Sequence, residues 1–359
     1  MLSTPLKSNN GVVQNIIPAD ISLTVKHGDK NSLIIGSDYQ GADYYTWSDP
    51  LKGYKSFGNK STAFQTGIYA QEELHVKNFI WRGGIRYNYI RNNIELVDGG
   101  APGSNTKDWN SFLWSTGIKY KTNTDISFFA NAGNSFLTPG LKSTGGTISL
   151  SDKGVIGRNG QLPNPDLKPE AGLGLDAGID ANLPASIKIT VRAFSISVSD
   201  AIIDNVVSQN PSQTQSVNAG KTTSAGFEAE IKQLLSANIQ WFVNYTYMKT
   251  NVKDAGTVPF APDQVANAGI NLGMPFGMMV STYLNYNNGY YDSSDKTSRN
   301  FFKPGALLNV NISQKLAQTQ SYKVECFGQF YNITNNRYEM PWQFRNTGFS
   351  LMAGIRTSF

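Results

Sequence analysis

The sequence predicts an all-β fold, an antiparallel up-and-down transmembrane β-barrel, and three observations carry this prediction. The last ten residues, Ser350–Phe359, alternate apolar and polar side chains with a period of two, as in a strand with one apolar and one polar face. The chain holds 34 glycines and 12% aromatic residues, a composition that suits many short strands and turns. Short and long connections alternate strictly between the candidate strands, as they do in an up-and-down membrane barrel.

About fifteen segments share this alternation, and each is predicted to be a strand. They are Asp20–Lys26, Ser32–Gln40, Phe64–Leu74, Phe79–Arg91, Phe112–Lys121, Ile126–Ser135, Gly172–Ala181, Ile187–Val198, Ser216–Lys232, Ile239–Met248, Gln264–Gly273, Met278–Asn287, Ala306–Leu316, Tyr322–Tyr331 and Ser350–Phe359. Gly11–Ile17 is a further candidate, which would raise the number to sixteen. The apolar face, with Val243 and Ile355, is predicted to contact lipid, and the polar face to line a lumen.

The connections orient the chain in the predicted barrel. Short ones are expected near His27–Lys30, His75–Asn78, Lys121–Asp125, Asn182–Ser186, Leu234–Ala237, Met274–Gly277 and Ala317–Ser321. Long ones are expected near Gly41–Ser61, Asn92–Asn110, Phe136–Glu170, Ala201–Gln215, Asn251–Asp263, Asn288–Lys303 and Asn332–Thr347. Short turns are expected in the periplasm and long loops outside the cell. An odd strand number with an outside start is expected of a piece of a larger barrel.

Composition excludes several classes of function. A net charge of +5 without a run of Lys or Arg gives no sign of nucleic-acid binding. The single cysteine, Cys326, excludes an internal disulfide, and two histidines, His27 and His75, leave little for a histidine-based metal or catalytic site. We identify no catalytic constellation, no cofactor and no metal site, so an enzyme is not predicted. Met1–Asn10 has no apolar core of a signal peptide, although an outer-membrane barrel must be exported.

Several motifs then resemble one family. Residues 164–170, Asn-Pro-Asp-Leu-Lys-Pro-Glu, closely resemble the NPDLKPE motif of TonB-dependent outer-membrane receptors. Further segments similar to that family follow in the family's order: Ile68–Glu73 with Gly84–Tyr87, Asn134–Pro139, Gly226–Glu230 and Tyr331–Tyr338. The closing aromatic residue, Phe359, is similar to the one that the barrel-assembly machinery is expected to read in these receptors.

This resemblance implies that residues 1–359 are the C-terminal portion of such a receptor, about 15–16 of 22 strands, without the plug domain and the first barrel strands. It implies a Gram-negative outer-membrane receptor and transporter, with a ferric siderophore as the expected cargo. The expected partners are outer-membrane lipid, lipopolysaccharide, the barrel-assembly machinery and the TonB complex, the last through the missing N-terminal region.

The long loops are the expected place for ligand binding, because loops carry binding residues on rigid scaffolds. Cations beside flat rings suit an anionic ferric chelate. The candidate residues are Arg337, Tyr338, Trp342 and Arg345 in one loop, and Tyr290, Tyr291 and Arg299, with Lys296 and Lys303, in another. A third loop contributes Lys142, Lys153 and Arg158.

Three alternatives stay open at this point. The receptor could take up vitamin B12, haem or a glycan in place of a siderophore. The chain could form a passive porin-like barrel of about sixteen strands. It could also be a soluble all-β binding protein or propeller, in which case the apolar faces would pack against a second layer of protein.

Overall fold

The computed structural model describes residues 8–95, 105–122, 124–253, 256–297, 299–338 and 346–358. The strands, in chain order, are β1 (Ser8–His27), β2 (Asn31–Pro50), β3 (Ser56–Val76), β4 (Phe79–Glu95), β5 (Asn105–Lys121), β6 (Ile126–Leu137), β7 (Gly160–Leu162), β8 (Glu170–Leu183), β9 (Ile187–Ser199), β10 (Ile202–Ser208), β11 (Gln213–Asn218), β12 (Thr222–Ser236), β13 (Ile239–Val252), β14 (Gln264–Gly273), β15 (Met278–Asn287), β16 (Tyr290–Tyr291), β17 (Phe301–Phe302), β18 (Gly305–Gln318), β19 (Lys323–Tyr331) and β20 (Ser350–Ser358). A short helix, α1 (Leu141–Gly145), and a 3-10 turn at Leu150–Asp152 precede β7. No helix in the described ranges has the length and apolar character needed to cross a membrane.

Fifteen strands form one antiparallel sheet, in the order β1-β2-β3-β4-β5-β6-β8-β9-β12-β13-β14-β15-β18-β19-β20. The order follows the chain, as predicted for an up-and-down arrangement. Connections at one end, the short-turn end, are residues 28–30, 77–78, 122–125, 184–186, 237–238, 274–277 and 319–322. Connections at the other end, the long-loop end, are 51–55, 96–104, 138–169, 200–221, 253–263, 288–304 and 332–349. The predicted alternation is therefore confirmed.

Three sequence-based boundaries were wrong. Ser216–Lys232 is two strands, because Ala219 donates its N–H to the Ala201 carbonyl (2.7 Å) and closes the β10–β11 hairpin before β12 begins. The predicted loops at 41–61 and 92–110 are largely strand, since β2, β3, β4 and β5 extend beyond their apolar stretch. There the polar side of the sheet buries apolar residues such as Tyr44 and Ile94, so the simple alternation disappears while backbone pairing continues. Gly11–Ile17 is part of β1 and adds no sixteenth strand.

The two faces of the sheet differ as the sequence predicts. On the apolar face, Val243 is 44% and Ile355 is 69% exposed, so neither is covered by a second layer of protein. On the polar face, the guanidinium of Arg86 contacts both carboxylate oxygens of Asp38, and Arg192 donates to Glu228 at 2.6 Å. Buried or half-buried charges of this kind are stable when they are paired.

The chain divides into two compact units. The first comprises Met1–Ile118, Ala132–Gly174 and Val198–Lys221, and the second comprises Lys119–Asn131, Leu175–Ser197 and Thr222–Phe359. In the first unit α1 contacts β2, β3 and β4 at the long-loop end. The buried apolar side chains of this unit include Tyr44, Ile90, Ile94, Leu141, Leu162 and Leu167.

Candidate ligand-binding site

A short hairpin of four aromatic residues forms the centre of the candidate site in the second unit. β16 pairs with β17 so that Tyr290 faces Phe302 and Tyr291 faces Phe301. The rings of Tyr290 and Phe302 stack with centroids 5.6 Å apart, and those of Tyr291 and Phe301 are 5.1 Å apart. Ring pairs at these separations stabilise one another beyond their burial.

Two further side chains complete this group, which we name the aromatic–cation cluster: Phe260, Tyr290, Tyr291, Arg299, Phe301 and Phe302. The Cζ atom of Arg299 lies 3.7 Å from the centroid of the Tyr291 ring, within the range of a cation–π interaction. The ring of Phe260 meets that of Tyr290 edge-on at 6.1 Å. The N–H of Phe260 donates to the Tyr291 carbonyl at 2.8 Å, which ties loop 253–263 to the hairpin.

Local hydrogen bonds explain why this loop folds into a hairpin. The carboxylate of Asp292 accepts from the backbone N–H and the side-chain amide of Asn300, both at 2.8 Å. Gly289 precedes the hairpin with a φ of +87°, and a Cβ atom there would lie 2.4 Å from the Phe302 carbonyl oxygen. A residue with a side chain would therefore be strained at position 289 and would press on β17.

Loop 332–349 brings Arg337 and Tyr338 to the long-loop end of the second unit. Asn332 is buried and organises the turn, because its Oδ1 accepts from the Asn336 N–H (3.0 Å) and its Nδ2 donates to the Asn336 carbonyl (2.9 Å). The ring of Tyr338 packs on Gly305 at the start of β18. The other two residues predicted in this loop, Trp342 and Arg345, lie outside the described residues, as does Phe359.

The electrostatics of the cluster favour a negatively charged guest. Within the described ranges, Arg299 and Arg337 take part in no salt bridge. Burial, together with the neighbouring phenol of Tyr338, raises the pKa of Tyr290, so this side chain stays neutral. Across the described part of the chain, no group of three or more His, Cys, Asp or Glu side chains could hold a metal ion.

The structure thus brings together Tyr290, Tyr291 and Arg299 as one group. Lys142, Lys153 and Arg158 belong to the first unit, where Arg158 lies 3.4 Å from Asp152. Sequence reasoning missed Phe260, Phe301 and Phe302. The adjacent pair Phe301-Phe302, directly before a predicted strand, was the available signal for two of them.

The chemical capacity of the cluster follows from these contacts. Stacked rings offer a flat apolar surface, and a guanidinium that pairs with no carboxylate among the described residues offers a charge and several N–H donors. Such a surface suits a planar or aromatic anion better than a cation or an aliphatic chain.

Comparisons with known proteins agree with the fold. The family model described as TonB dependent receptor-like, beta-barrel matches residues 4–336. The structure is similar to the copper transporter OprC (TM-score 0.79, 13% identity), covering 97% of this chain and 57% of that one. It is also similar to the ferric-catecholate import receptor Fiu of E. coli K12 (TM-score 0.71, 14% identity; 97% and 55% covered). A third similar structure is the ferric citrate transporter FecA (TM-score 0.71, 15% identity; 98% and 55% covered).

No curated protein matches the sequence. The chain spans little more than half the length of the solved structures that it resembles, and identities of 13–15% relate it to them by fold alone. The family model, by contrast, matches residues 4–336 of the 359. The chain belongs to the TonB-dependent receptor-like β-barrel family.

Proposed function

We propose that this chain is the C-terminal portion of an outer-membrane receptor that takes up an anionic ferric chelate, a ferric siderophore, with energy delivered by the TonB complex. The observation that carries the cargo half of this proposal is the aromatic–cation cluster, in which Arg299 sits 3.7 Å from the Tyr291 ring without a carboxylate partner in the described residues.

The proposed location in the outer membrane is supported by the apolar face of the sheet. On β4 this face runs from Phe79 through Trp81, Ile85 and Tyr87 to Tyr89. Ten residues at ~3.3 Å each, tilted by ~40°, cover about 25 Å along the membrane normal, the height of the apolar band of a membrane barrel. Aromatic side chains mark both ends: Trp81 on one side and Phe64 with Tyr89 (centroids 5.5 Å apart) on the other. These rings would sit at the two lipid–water boundaries, with lipopolysaccharide around the outer one.

The strand number supports a larger parent barrel. In an antiparallel sheet of fifteen strands, β1 and β20 run in the same direction, so they cannot pair with each other as antiparallel neighbours. Bacterial single-chain barrels have an even number of antiparallel strands. Further strands, a plug and the TonB-interacting segment would then come from the N-terminal region of the parent, and Phe359 would direct barrel assembly. A passive sixteen-stranded porin fits this odd number less well.

The histidines and the cysteine, which could ligate haem iron or copper, lie away from the long-loop end. Haem iron is usually held by His, Cys, Met or Tyr, and copper by His, Cys or Met. His27 and His75 lie at the short-turn end, at 2.8 Å from Glu72 and 2.7 Å from Glu73 respectively. Cys326 lies within β19, where it pairs with Ile355 on the apolar face. The long-loop end, where cargo would arrive, therefore holds no histidine and no cysteine, although it does hold tyrosines such as Tyr290 and Tyr291.

Binding of a ferric catecholate by the full-length parent receptor tests this proposal. Arg299→Gln removes the charge above Tyr291 and is expected to weaken binding of the anionic chelate roughly ten- to a hundredfold, since a hydrogen bond to a charged group contributes ~1.5–3 kcal/mol. Arg356→Gln is the matched control, because Arg356 also lies near a ring, that of Phe327 at 5.4 Å, but at the short-turn end.

The expected result is weaker binding by the Arg299 variant and unchanged binding by the Arg356 variant, measured by tryptophan fluorescence quenching. Equal affinity of the wild type and the Arg299 variant would remove the cluster as the cargo site. Absence of any binding by the wild type would contradict the proposed cargo class itself.

A further inference from the structure

Two long loops of the first unit, residues 138–169 and 200–221, share one small sheet. β7 from the first loop pairs in parallel with β11 from the second, and β11 pairs with β10 in a hairpin. We name these two loops together the loop module. They are separated along the chain by β8 and β9, so each loop completes the sheet of the other.

A fully buried glutamine crosses the boundary between the two loops. Gln213 is 0% exposed, and all its side-chain hydrogen bonds go to the other loop. Its Oε1 accepts from the Gly154 N–H at 2.8 Å, and its Nε2 donates to the carbonyls of Asp152 and Arg158, both at 2.7 Å. Separating the loops would leave these groups without partners, which is costly for buried polar atoms.

The seven-residue motif at 164–170 forms the rest of this boundary. Asn164 donates to the Ser216 carbonyl at 2.9 Å, and the carboxylate of Glu170 accepts from the Ile202 N–H at 2.6 Å. Between them, the backbone of Lys168 makes two hydrogen bonds with the Asn218 side chain, both at 2.9 Å. The motif singled out in the sequence thus fastens one loop to the other.

The loop module is attached to the strands. Tyr44 of β2 donates to the Gly146 carbonyl at 2.5 Å, and Asn59 of β3 donates to the Ile148 carbonyl at 3.1 Å. Gln213 in turn holds the segment 152–158 through Asp152, Gly154 and Arg158. The loop module is therefore held both to the strands and across its own two loops.

We propose that the loop module is a single prefolded body whose two loops unfold only together, with Gln213 as its positioning residue. The module stays folded during uptake and is not a gate. The claim of a single body stands independently of the cargo, whereas the claim that it is not a gate rests on the proposed uptake function.

Amide hydrogen exchange of the full-length receptor in detergent tests the single body. Gln213→Ala is expected to speed exchange in peptides covering 147–162 and 213–218 alike, by roughly a hundredfold, the factor for losing two to three buried hydrogen bonds. Gln209→Ala, at an exposed position of the same hairpin, is expected to leave both peptides unchanged. Faster exchange in 213–218 with unchanged exchange in 147–162 would overturn the proposal.

A disulfide cross-link between the two loops tests whether slow amide exchange can be restored in the Gln213→Ala variant. Asn159 and Ser212 are exposed neighbours across the boundary, since the Ser212 N–H donates to Asn159 Oδ1 at 2.9 Å. Asn159→Cys with Ser212→Cys, in a Cys326→Ser background, is expected to restore slow exchange in both loops of the Gln213→Ala variant. Restoration in one loop alone would also overturn the single body.

Uptake of a radioactive ferric catecholate by cells carrying the oxidised cross-linked receptor separates a fixed module from a gate. Retained uptake supports a fixed module. Uptake that is lost and then restored by a reductant overturns that half of the proposal. Absence of uptake by the wild type would contradict the proposed function instead, and the exchange experiment would still decide whether the module is one body.

Discussion

Replacement of Val243 by arginine tests directly whether the apolar face contacts lipid. Val243 is the third of five residues on the same face of β13, namely Ile239, Trp241, Val243, Tyr245 and Tyr247. Its side chain is 44% exposed, and its register partners on β12 and β14 are Ile231 and Ala268. No acidic side chain is therefore directly opposite to pair with a new cation.

The magnitude follows from the depth of this position. Eight residues at ~3.3 Å separate Ile239 from Tyr247 by ~26 Å along the strand, or ~20 Å along the membrane normal at a tilt of ~40°. Val243 lies midway, so an arginine there would be close to the bilayer midplane, where it costs ~2–4 kcal/mol. That is a large fraction of the ~5–15 kcal/mol that stabilises a typical folded protein.

Thr246→Arg is the matched control on the same strand. Thr246 lies on the polar face and lines an open cavity of about 540 Å³ beside Arg192 and Glu228, so a new side chain can reach water there. The measurements are the folded fraction from heat-modifiable gel migration and the free energy of unfolding in phospholipid vesicles. Equal folding of the two variants would refute the assignment of the apolar face to lipid.

Three further outcomes concern the loops. Gly289→Ala should disrupt the β16–β17 hairpin and raise its amide exchange, because of the φ of +87° and the close Phe302 carbonyl, whereas Gly140→Ala, with no atom within 4 Å of its Cβ position, should not. Asn332→Ala should loosen its turn by ~1–3 kcal/mol, measured by exchange at Asn336, since its two hydrogen bonds to Asn336 are lost together with those to Thr334 and Asn346. The phenol of Tyr290, outside the main sheet, should ionise above the ordinary value of 10.0, because burial raises its pKa. The folded hairpin then holds this proton more tightly than the unfolded chain does. The contribution of Tyr290 to the stability of the hairpin is therefore fully present below pH 10 and is lost as the pH rises above that value. Tyr290→Phe should abolish this loss, as measured by the pH dependence of amide exchange.

Sequence patterns were sufficient for the fold because a barrel wall repeats one simple rule. Apolar and polar side chains alternate along each strand wherever one face meets lipid and the other meets water, and Phe79–Arg91 shows both faces clearly. The rule fails where the strands continue past the apolar band. At Tyr44 the polar face is covered by loop 138–169, where the Tyr44 hydroxyl donates to the Gly146 carbonyl, so the sequence pattern of β2 was read as a loop.

The candidate site was only partly predictable for a different physical reason. Tyr290, Tyr291 and Arg299 could be identified because they are close in sequence and of suggestive types. Phe260 could not, because its contact with Tyr290 depends on how loop 253–263 folds back, through the N–H bond to Tyr291. The partners of Gln213 were equally invisible, since 55 residues separate it from Arg158.

Under the proposed function, cargo selectivity is expected in the loops. On the polar face of the sheet, Arg86 is paired with Asp38 and Arg192 with Glu228, and a guest would have to break those pairs to bind there. A guest that binds Arg299 would not have to displace a carboxylate of the described residues, since the guanidinium lies on the aromatic ring of Tyr291 at the long-loop end. An anion arriving from outside would therefore gain most where the wall ends and the loops begin.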